Sequence, residues 1–293
     1  MIISSIQGGL GNQLFQYAYA YSLFKNRNNN EELVFDTSFF TFYNLKCKIL
    51  HSPKNFSREC YLFNINIQSA KFNKSILLFY KKELKNRLYK NYQIKIKNHI
   101  CKYIKEEQNY CRNYNEKFME LKTKDIYLDG FWQNYKYFES VRDELINQIK
   151  PNYIQSDEVI KIKEFIINQH SVGVHVRRGD FVKLGWNKSI DYYTKGIEFI
   201  KNKIENPMFY FFSDDIEWVI KEFGHKPNYH FINLDNELKD LDEFFLLKAC
   251  KHQIISESTY GWWASYLNNN INKIIIAPKE AKGELFQMIE YKI

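Results

Sequence analysis

The sequence predicts an α/β protein built on doubly wound, mostly parallel sheets. Three observations lead there. The second half alternates short β-branched or aromatic runs with helical periods and short links. The amino terminus reads strand, glycine turn, apolar helix. His175-Val176-Arg177-Arg178-Gly179-Asp180 then follows the β-branched run Ser171–Val174 directly, at the carboxyl end of a predicted buried strand. Open α/β sheets place their ligands at such strand ends.

In chain order, Ile2–Ile6 reads as a strand, Gly8–Gln13 as a turn and Leu14–Phe24 as a helix, followed by a strand at Leu33–Asp36. The middle is less regular. Tyr127–Asp129 ends a further strand and Tyr135–Ile149 carries a helical pattern, with Lys150-Pro151-Asn152 as the link between two domains. Strands follow at Val172–Val176, Met208–Phe212, Tyr229–Ile232, Gln253–Ser256 and Lys273–Ala277. Helices between them are predicted over Tyr192–Ile204, Ile216–Phe223, Leu238–Cys250 and Thr259–Leu267. Phe181–Gly185 lacks a helical period and is expected to be a loop.

Two segments carry chemistry. Adjacent guanidinium forks at Arg177 and Arg178 suit bidentate recognition of a diphosphate, which lysine charge alone would not match. An ordinary surface ion-pair cluster with Asp180 is the alternative. Glycines at 8, 9 and 11 permit close backbone approach to a ligand, and a helix start offers N–H groups to anions. The spacing is not the full dinucleotide fingerprint, so a plain turn also fits.

Six segments occur together and in order: GGLGNQLFQYA at 8–18, YLDGFWQNYKYF at 127–138, HVRRGD at 175–180, SDDIEWV at 213–219, CKHQIISESTYGWWASYLN at 250–268 and IIIAPK at 274–279. In this combination the chain resembles the α-1,2-fucosyltransferases of glycosyltransferase family 11. The resemblance thins between about residues 40 and 120. It implies a GT-B architecture, two Rossmann-like domains facing across a cleft. Residues 1–150 would form the acceptor-side domain and 151–293 the GDP-fucose-binding domain, with about 282–293 returning to the first. It implies an inverting transfer of L-fucose from GDP-β-L-fucose to the 2-hydroxyl of a terminal galactose, in a surface glycan such as an O-antigen. GDP-fucose is then a co-substrate, and neither cofactor nor metal is expected. The rivals are a GT-B transferase for another nucleotide sugar or linkage, and a nucleotide-sugar-binding protein without turnover.

On this reading Arg177 compensates charge on the leaving diphosphate, and Asn12 positions donor and acceptor. His175, Arg178, Asp180, Ser213, Asp214, Asp215, Ser258, Thr259, Gly9 and Gly11 are donor-side candidates. Gln13, Glu257, Asp129 and Trp132 are candidates for acceptor contact or positioning. Several of these have a structural alternative. Ser213-Asp214-Asp215 suits a helix start as well as a ribose or base. Ser258-Thr259 suits a cap as well as a phosphate, and the aromatics at 127–133 suit a core as well as a groove. Trp262 and Trp263 read as core anchors. Asp240-Leu241-Asp242 has the form of a metal-binding pair, but acids in a first helical turn are expected for dipole reasons. At Glu257 and Gly261 the chain leaves the family's commoner Asn-Ser-(Ser/Thr)-Phe-Ser-Trp-Trp.

Bulk properties bound the rest. With 45% hydrophobic and 17% aromatic residues, the 293-residue chain can fill two cores. No apolar run reaches membrane-spanning length, and the strand and glycine turn that follow Met1 are not expected of a signal peptide. Five cysteines without a C-x-x-C pair suggest free thiols and a cytoplasmic protein. The net charge of +8 is concentrated between Lys71 and Lys105, where eleven basic residues face one acid, Glu83. A solvated amphipathic face and docking on an anionic membrane that carries a lipid-linked acceptor are both open. Nucleic acid is not expected as a partner.

Overall fold

A computed structural model describes residues 1–27, 31–49, 59–67, 70–73, 93–96, 99–106, 112–281 and 283–293. The chain divides into two units, Met1–Asn152 and Tyr153–Ile293. The first contains β1 (Ile2–Ser5), α1 (Leu10–Asn26), β2 (Leu33–Asp36), α2 (Ser38–Ile49), β3 (Ala70–Asn73), β4 (Gln93–Ile96), β5 (His99–Lys105), β6 (Ile126–Asp129) and α3 (Arg142–Gln148). Its strand order is β3-β2-β1-β6-β5-β4. Every neighbouring pair is parallel except β4 with β5. The winding direction therefore reverses between β1 and β6.

Helix α1 is buried along nearly its whole length, from Leu10 to Phe24. Its apolar composition on every face calls for this, and its tyrosine hydroxyls find partners inside. Tyr19 Oη donates to the Phe118 carbonyl at 2.6 Å and Tyr21 Oη to Glu144 Oε2 at 2.5 Å. The helix starts earlier than the apolar pattern predicts, because Gly9 is its N-cap and the turn itself supplies the first helical residues. Tyr135–Ile149 is broken where one helix is predicted. Short 3₁₀ turns at Tyr135–Tyr137 and Glu139–Val141 precede α3. Phe138 is fully buried with φ −142, so packing its ring takes the backbone out of helical geometry.

Within the basic stretch 71–105, residues 74–92 and 97–98 lie outside the described residues. Its described parts contribute to β3, β4 and β5, with Cys101 and Ile104 buried, so they are sheet strands rather than one amphipathic face. No helix among the described residues is long and apolar enough to cross a membrane.

The second unit contains α4 (Asp157–Asn168), β7 (Ser171–Val176), α5 (Gly179–Leu184), α6 (Ile190–Lys201), β8 (Met208–Ser213), α7 (Ile216–Phe223), β9 (Tyr229–Phe231), α8 (Lys239–Ala249), β10 (His252–Ile255), α9 (Thr259–Tyr266), β11 (Ile275–Ala277) and β12 (Tyr291–Lys292). Read from one edge, the order is β9-β8-β7-β10-β11-β12, all parallel. Counted within the unit this is 3-2-1-4-5-6, the order of a doubly wound nucleotide-binding sheet, with its switch point between β7 and β10. The β-branched strand β7 lies at the centre and buries all six residues. On one face Val172, Val174 and Val176 pack in a cluster with Tyr193, Ile197, Phe211 and Val219.

Two expectations give way here. Residues 179–184 form the short helix α5 instead of a loop, ended by Gly185 in the left-handed region at φ 67. The end of the chain, expected to return to the first unit, adds β12 to the second sheet. Trp262 and Trp263 are fully buried, and Trp262 Nε1 donates to the Leu285 carbonyl at 2.9 Å, tying that end down. Trp262→Phe removes the donor and leaves a buried carbonyl unpaired. It should destabilise the second unit by about 1–3 kcal/mol, read as a lower denaturation midpoint with secondary structure unchanged.

Candidate active site

The candidate residues fall into one group in each unit. In the second, β7, β8 and β10 end side by side: Val176 pairs with Ser213 and His175 with Ile255. The residues that follow these strands therefore emerge together at the switch point. Asp214 organises them. Its Oδ1 accepts the Arg178 backbone N–H at 2.8 Å and its Oδ2 lies 2.9 Å from Arg177 Nη1. Gly179 makes this approach possible, since a Cβ there would stand 2.4 Å from Asp214 Oδ2. Asp180 Oδ1 takes the other side of the Arg177 fork at 2.7 Å.

The two arginines differ in freedom. The Arg178 side chain is 16% exposed. Its guanidinium lies 3.5 Å from the Trp218 ring centroid, and its Nε donates to Asp215 Oδ2 at 2.9 Å. Arg177 is 34% exposed and rests more loosely against Phe181, at 5.6 Å. Ser213, Asp214 and Asp215 are expected at a donor ribose or base. In the structure both aspartates hold arginines, and Ser213 Oγ accepts the Asp215 backbone N–H at 3.0 Å.

His175 is buried, with Nδ1 3.1 Å from Ser256 Oγ and its ring stacked on Tyr260 at 5.2 Å. Burial, with a smaller contribution from the Arg177 charge, lowers its pKa to about 3. The ring is neutral at physiological pH, which suits a packing or hydrogen-bonding group and not a base. Ser258 caps α9, accepting the Tyr260 backbone N–H at 3.3 Å, and Thr259 begins the helix. The unusual carboxylate before them is compensated. Lys188 Nζ lies 3.5 Å from Glu257 and 2.8 Å from Glu280. Lys188, Trp218 and Tyr260 are absent from the sequence-based candidates, although Trp218 and Tyr260 lie within the family-like segments, because the contacts made with Arg178, His175, Glu257 and Glu280 join residues between 40 and 92 positions apart.

Asp242, half of the D-x-D pair, is buried and structural. Its carboxylate accepts from Tyr153 Oη at 2.8 Å, Gln155 Nε2 at 2.7 Å and Asn236 Nδ2 at 3.2 Å. Among the described residues no group of three or more His, Cys, Asp or Glu could hold a metal ion.

In the first unit the glycine turn joins β1 to α1, with Gly8 at φ 82, Gly9 as N-cap and Gly11 buried in the first helical turn. Asn12 Oδ1 accepts from Gln133 Nε2 at 2.9 Å. Three of the acceptor-side candidates are structural instead. Gln13 is fully buried and uses its whole amide internally: Nε2 donates to the Gly8 and Glu59 carbonyls at 3.0 and 2.8 Å, and Oε1 accepts Tyr61 N–H at 2.9 Å. Trp132 is fully buried against Tyr19, Phe118 and Tyr137. Asp129 is also buried and accepts the Tyr103 hydroxyl. Glu106, unmarked by any motif, lies beside it.

The chain is 30% identical to the O-antigen biosynthesis glycosyltransferase WbnK of Escherichia coli, over 94% of this chain and 93% of that one. It is 28% identical to an α-1,2-colitosyltransferase of the same organism, over 95% and 91%. Among solved structures it resembles the fucosyltransferase NodZ from Bradyrhizobium, with a TM-score of 0.56 and 14% identity over 97% of this chain and 96% of that one. That likeness shows the fold, which is GT-B. The model of the family described as glycosyl transferase family 11 matches residues 1–292, and the chain belongs to that family.

Proposed function

We propose that the protein transfers L-fucose from GDP-β-L-fucose to the 2-hydroxyl of a terminal galactose, with inversion at the anomeric carbon. The Arg177 fork at the switch point of the second sheet carries this reading. In the transfer the acceptor oxygen forms a bond to C1 while the bond from C1 to the diphosphate oxygen breaks. The electron pair leaves with the β-phosphate, and the proton of the acceptor hydroxyl passes to the departing diphosphate or to water. A fixed guanidinium facing the departing phosphate stabilises the developing charge, an effect commonly worth about 10²–10³ in rate. Arg177 is the more exposed of the two arginines and supplies it. Arg178, held by Trp218 and Asp215, shapes the turn. Ser258 and Thr259 at the start of α9 complete the donor side, and Asn12 with the glycine turn serves the acceptor side. The acceptor is a surface glycan of O-antigen type, in keeping with the name of the E. coli relative.

A second donor reading, GDP-colitose, is favoured by the match to a colitosyltransferase over 95% of this chain. Incubating the protein with either donor and a panel of galactosides, in EDTA, tests the proposal. An α-1,2-fucosylated galactoside, identified by NMR, is the expected product. Exclusive use of GDP-colitose would move the assignment to the second donor, and absence of product without added Mg²⁺ or Mn²⁺ would overturn the metal-free charge compensation.

Arg177→Ala should lower kcat by about 10²-fold or more in a folded protein. Arg177→Lys should recover little, because a point charge cannot reproduce two parallel hydrogen bonds. Near-normal rates in both would remove Arg177 from the phosphate role.

Gly179→Ala tests the geometry without altering any charge. The added methyl displaces the Asp214 carboxylate and with it the orientation of Arg177. Turnover should fall by about 10–10²-fold, the scale of a misplacement near 1 Å, while the melting temperature changes little. Unchanged turnover would show that Asp214 does not set the fork.

A further inference from the structure

Trp132 has a left-handed backbone, φ 55, a conformation shared among the described non-glycine residues only with Asn206. Holding a bulky residue there is strained, and such strain persists where the surroundings over-determine it. Glu106, at the end of β5, does so. Its Oε2 accepts the Phe131 N–H at 2.6 Å, and the Trp132 N–H lies 3.1 and 3.0 Å from its two oxygens. Gly130 leaves room for this contact, since a Cβ there would stand 2.4 Å from Glu106 Cβ.

The product of the strained turn is the placement of Gln133. Its Nε2 donates to Asn12 Oδ1 at 2.9 Å while Arg112 Nε donates to its Oε1 at 3.4 Å. Gln133 follows β6 and Asn12 follows β1, so this bond spans the point where the first sheet reverses its winding, the place where such sheets bind ligands. It also settles the orientation of the Asn12 amide, with oxygen toward Gln133 and nitrogen as the donor end.

We propose that Glu106 and Gln133 are positioning residues for glycosyl transfer: Glu106 clamps the strained turn at 130–132, the turn holds Gln133 on Asn12, and Asn12 thereby presents its amide in one orientation to the acceptor sugar. This rests on reading the first unit as the acceptor side.

The clamp is sensitive to pH. Burial pushes the Glu106 carboxyl up to about 7 against the lowering effect of the Trp132 and Phe131 N–H groups, and the Asp129 charge adds to the rise. The groups facing it are Asp129 on β6, which binds Tyr103 of β5, and Tyr19 on α1, with Arg112 reached through Gln133. The carboxylate accepts both N–H groups. A protonated carboxyl turns one oxygen into a donor and loosens the turn. Acceptor binding should therefore weaken as pH falls through about 7. Glutamine at 106 carries an NH₂ at every pH and mimics the loose form throughout.

The test combines amide exchange of the 127–134 segment, corrected for intrinsic rates, with acceptor KM for wild type, Glu106→Gln and Gln133→Leu at pH 6 and 8. In the wild type, exchange at Phe131 and Trp132 should be roughly tenfold slower at pH 8 than at pH 6, the scale of one lost hydrogen bond. Glu106→Gln should exchange fast at both pH values, with acceptor KM raised roughly tenfold and no longer dependent on pH, while donor KM holds. Gln133→Leu should keep the turn protected yet raise acceptor KM. Wild-type exchange and KM in Glu106→Gln would overturn the clamp, and an unchanged acceptor KM in Gln133→Leu would overturn its link to Asn12. If Glu106→Gln does not fold, wild-type exchange across the two pH values and Gln133→Leu kinetics decide the matter. Should the wild type use neither donor, the proposed function fails, and the exchange measurements still judge the clamp.

Discussion

The second unit depends on one carboxylate. Asp214 leaves the end of β8 and binds the turn that leaves β7, taking a backbone N–H of Arg178 with one oxygen and the guanidinium of Arg177 with the other. Parallel pairing of the two strands brings these residues to the same sheet edge, and the missing side chain at Gly179 lets them meet. A parallel sheet thus delivers the functional groups, and one hydrogen-bonded acid fixes their directions. Charge-assisted bonds of this kind hold geometry better than neutral ones, which matters for the diphosphate-facing role proposed for the fork.

Much of this arrangement is legible in the sequence. The β-branched run ending in His175, the aromatic run ending in Ser213 and the Gln253–Ser256 strand announce themselves by composition, and their polar ends identify the ligand edge. What stays hidden is which polar groups serve the ligand and which serve one another. Asp214 and Asp215 look like donor contacts or helix-start acids, yet they hold arginines; Gln13 looks like a loop ligand, yet its amide is consumed by the chain around it. Such partnerships join residues tens of positions apart, so no local pattern reports them. The irregular first sheet is harder still. Its β4 alternates polar and apolar over Gln93-Ile94-Lys95-Ile96, but this lies in a lysine-rich stretch that also reads as an amphipathic face, and α5 is too short to show a period.

Each departure from the family pattern near α9 has its own partner in the structure. Glu257 would oppose a nearby phosphate, but Lys188, with its side chain 10% exposed, stands between it and Glu280. Gly261, three residues into the helix, admits the neutral His175 ring, since a Cβ there would stand 2.7 Å from Nδ1. Glycine at 261 and a histidine lowered by burial belong together: a larger residue would push the ring away, and a charged ring would sit unsolvated beside Arg177.

Charge counting then separates the roles of the acids. Two arginines face three aspartates at this edge, so the cluster by itself does not attract a diphosphate. Asp214 and Asp215 cannot be given up without releasing the Arg178 backbone and side chain. Asp180 can, because it touches only the Arg177 fork, from the first turn of a six-residue helix, and is the most exposed of the three at 52%. On the proposed function a phosphate oxygen would replace Asp180 on Nη2, keeping the hydrogen bond and leaving the Asp214 anchor of Arg177 intact. Under the proposed function Asp180 would keep the fork ordered until the donor's own negative charge takes its position.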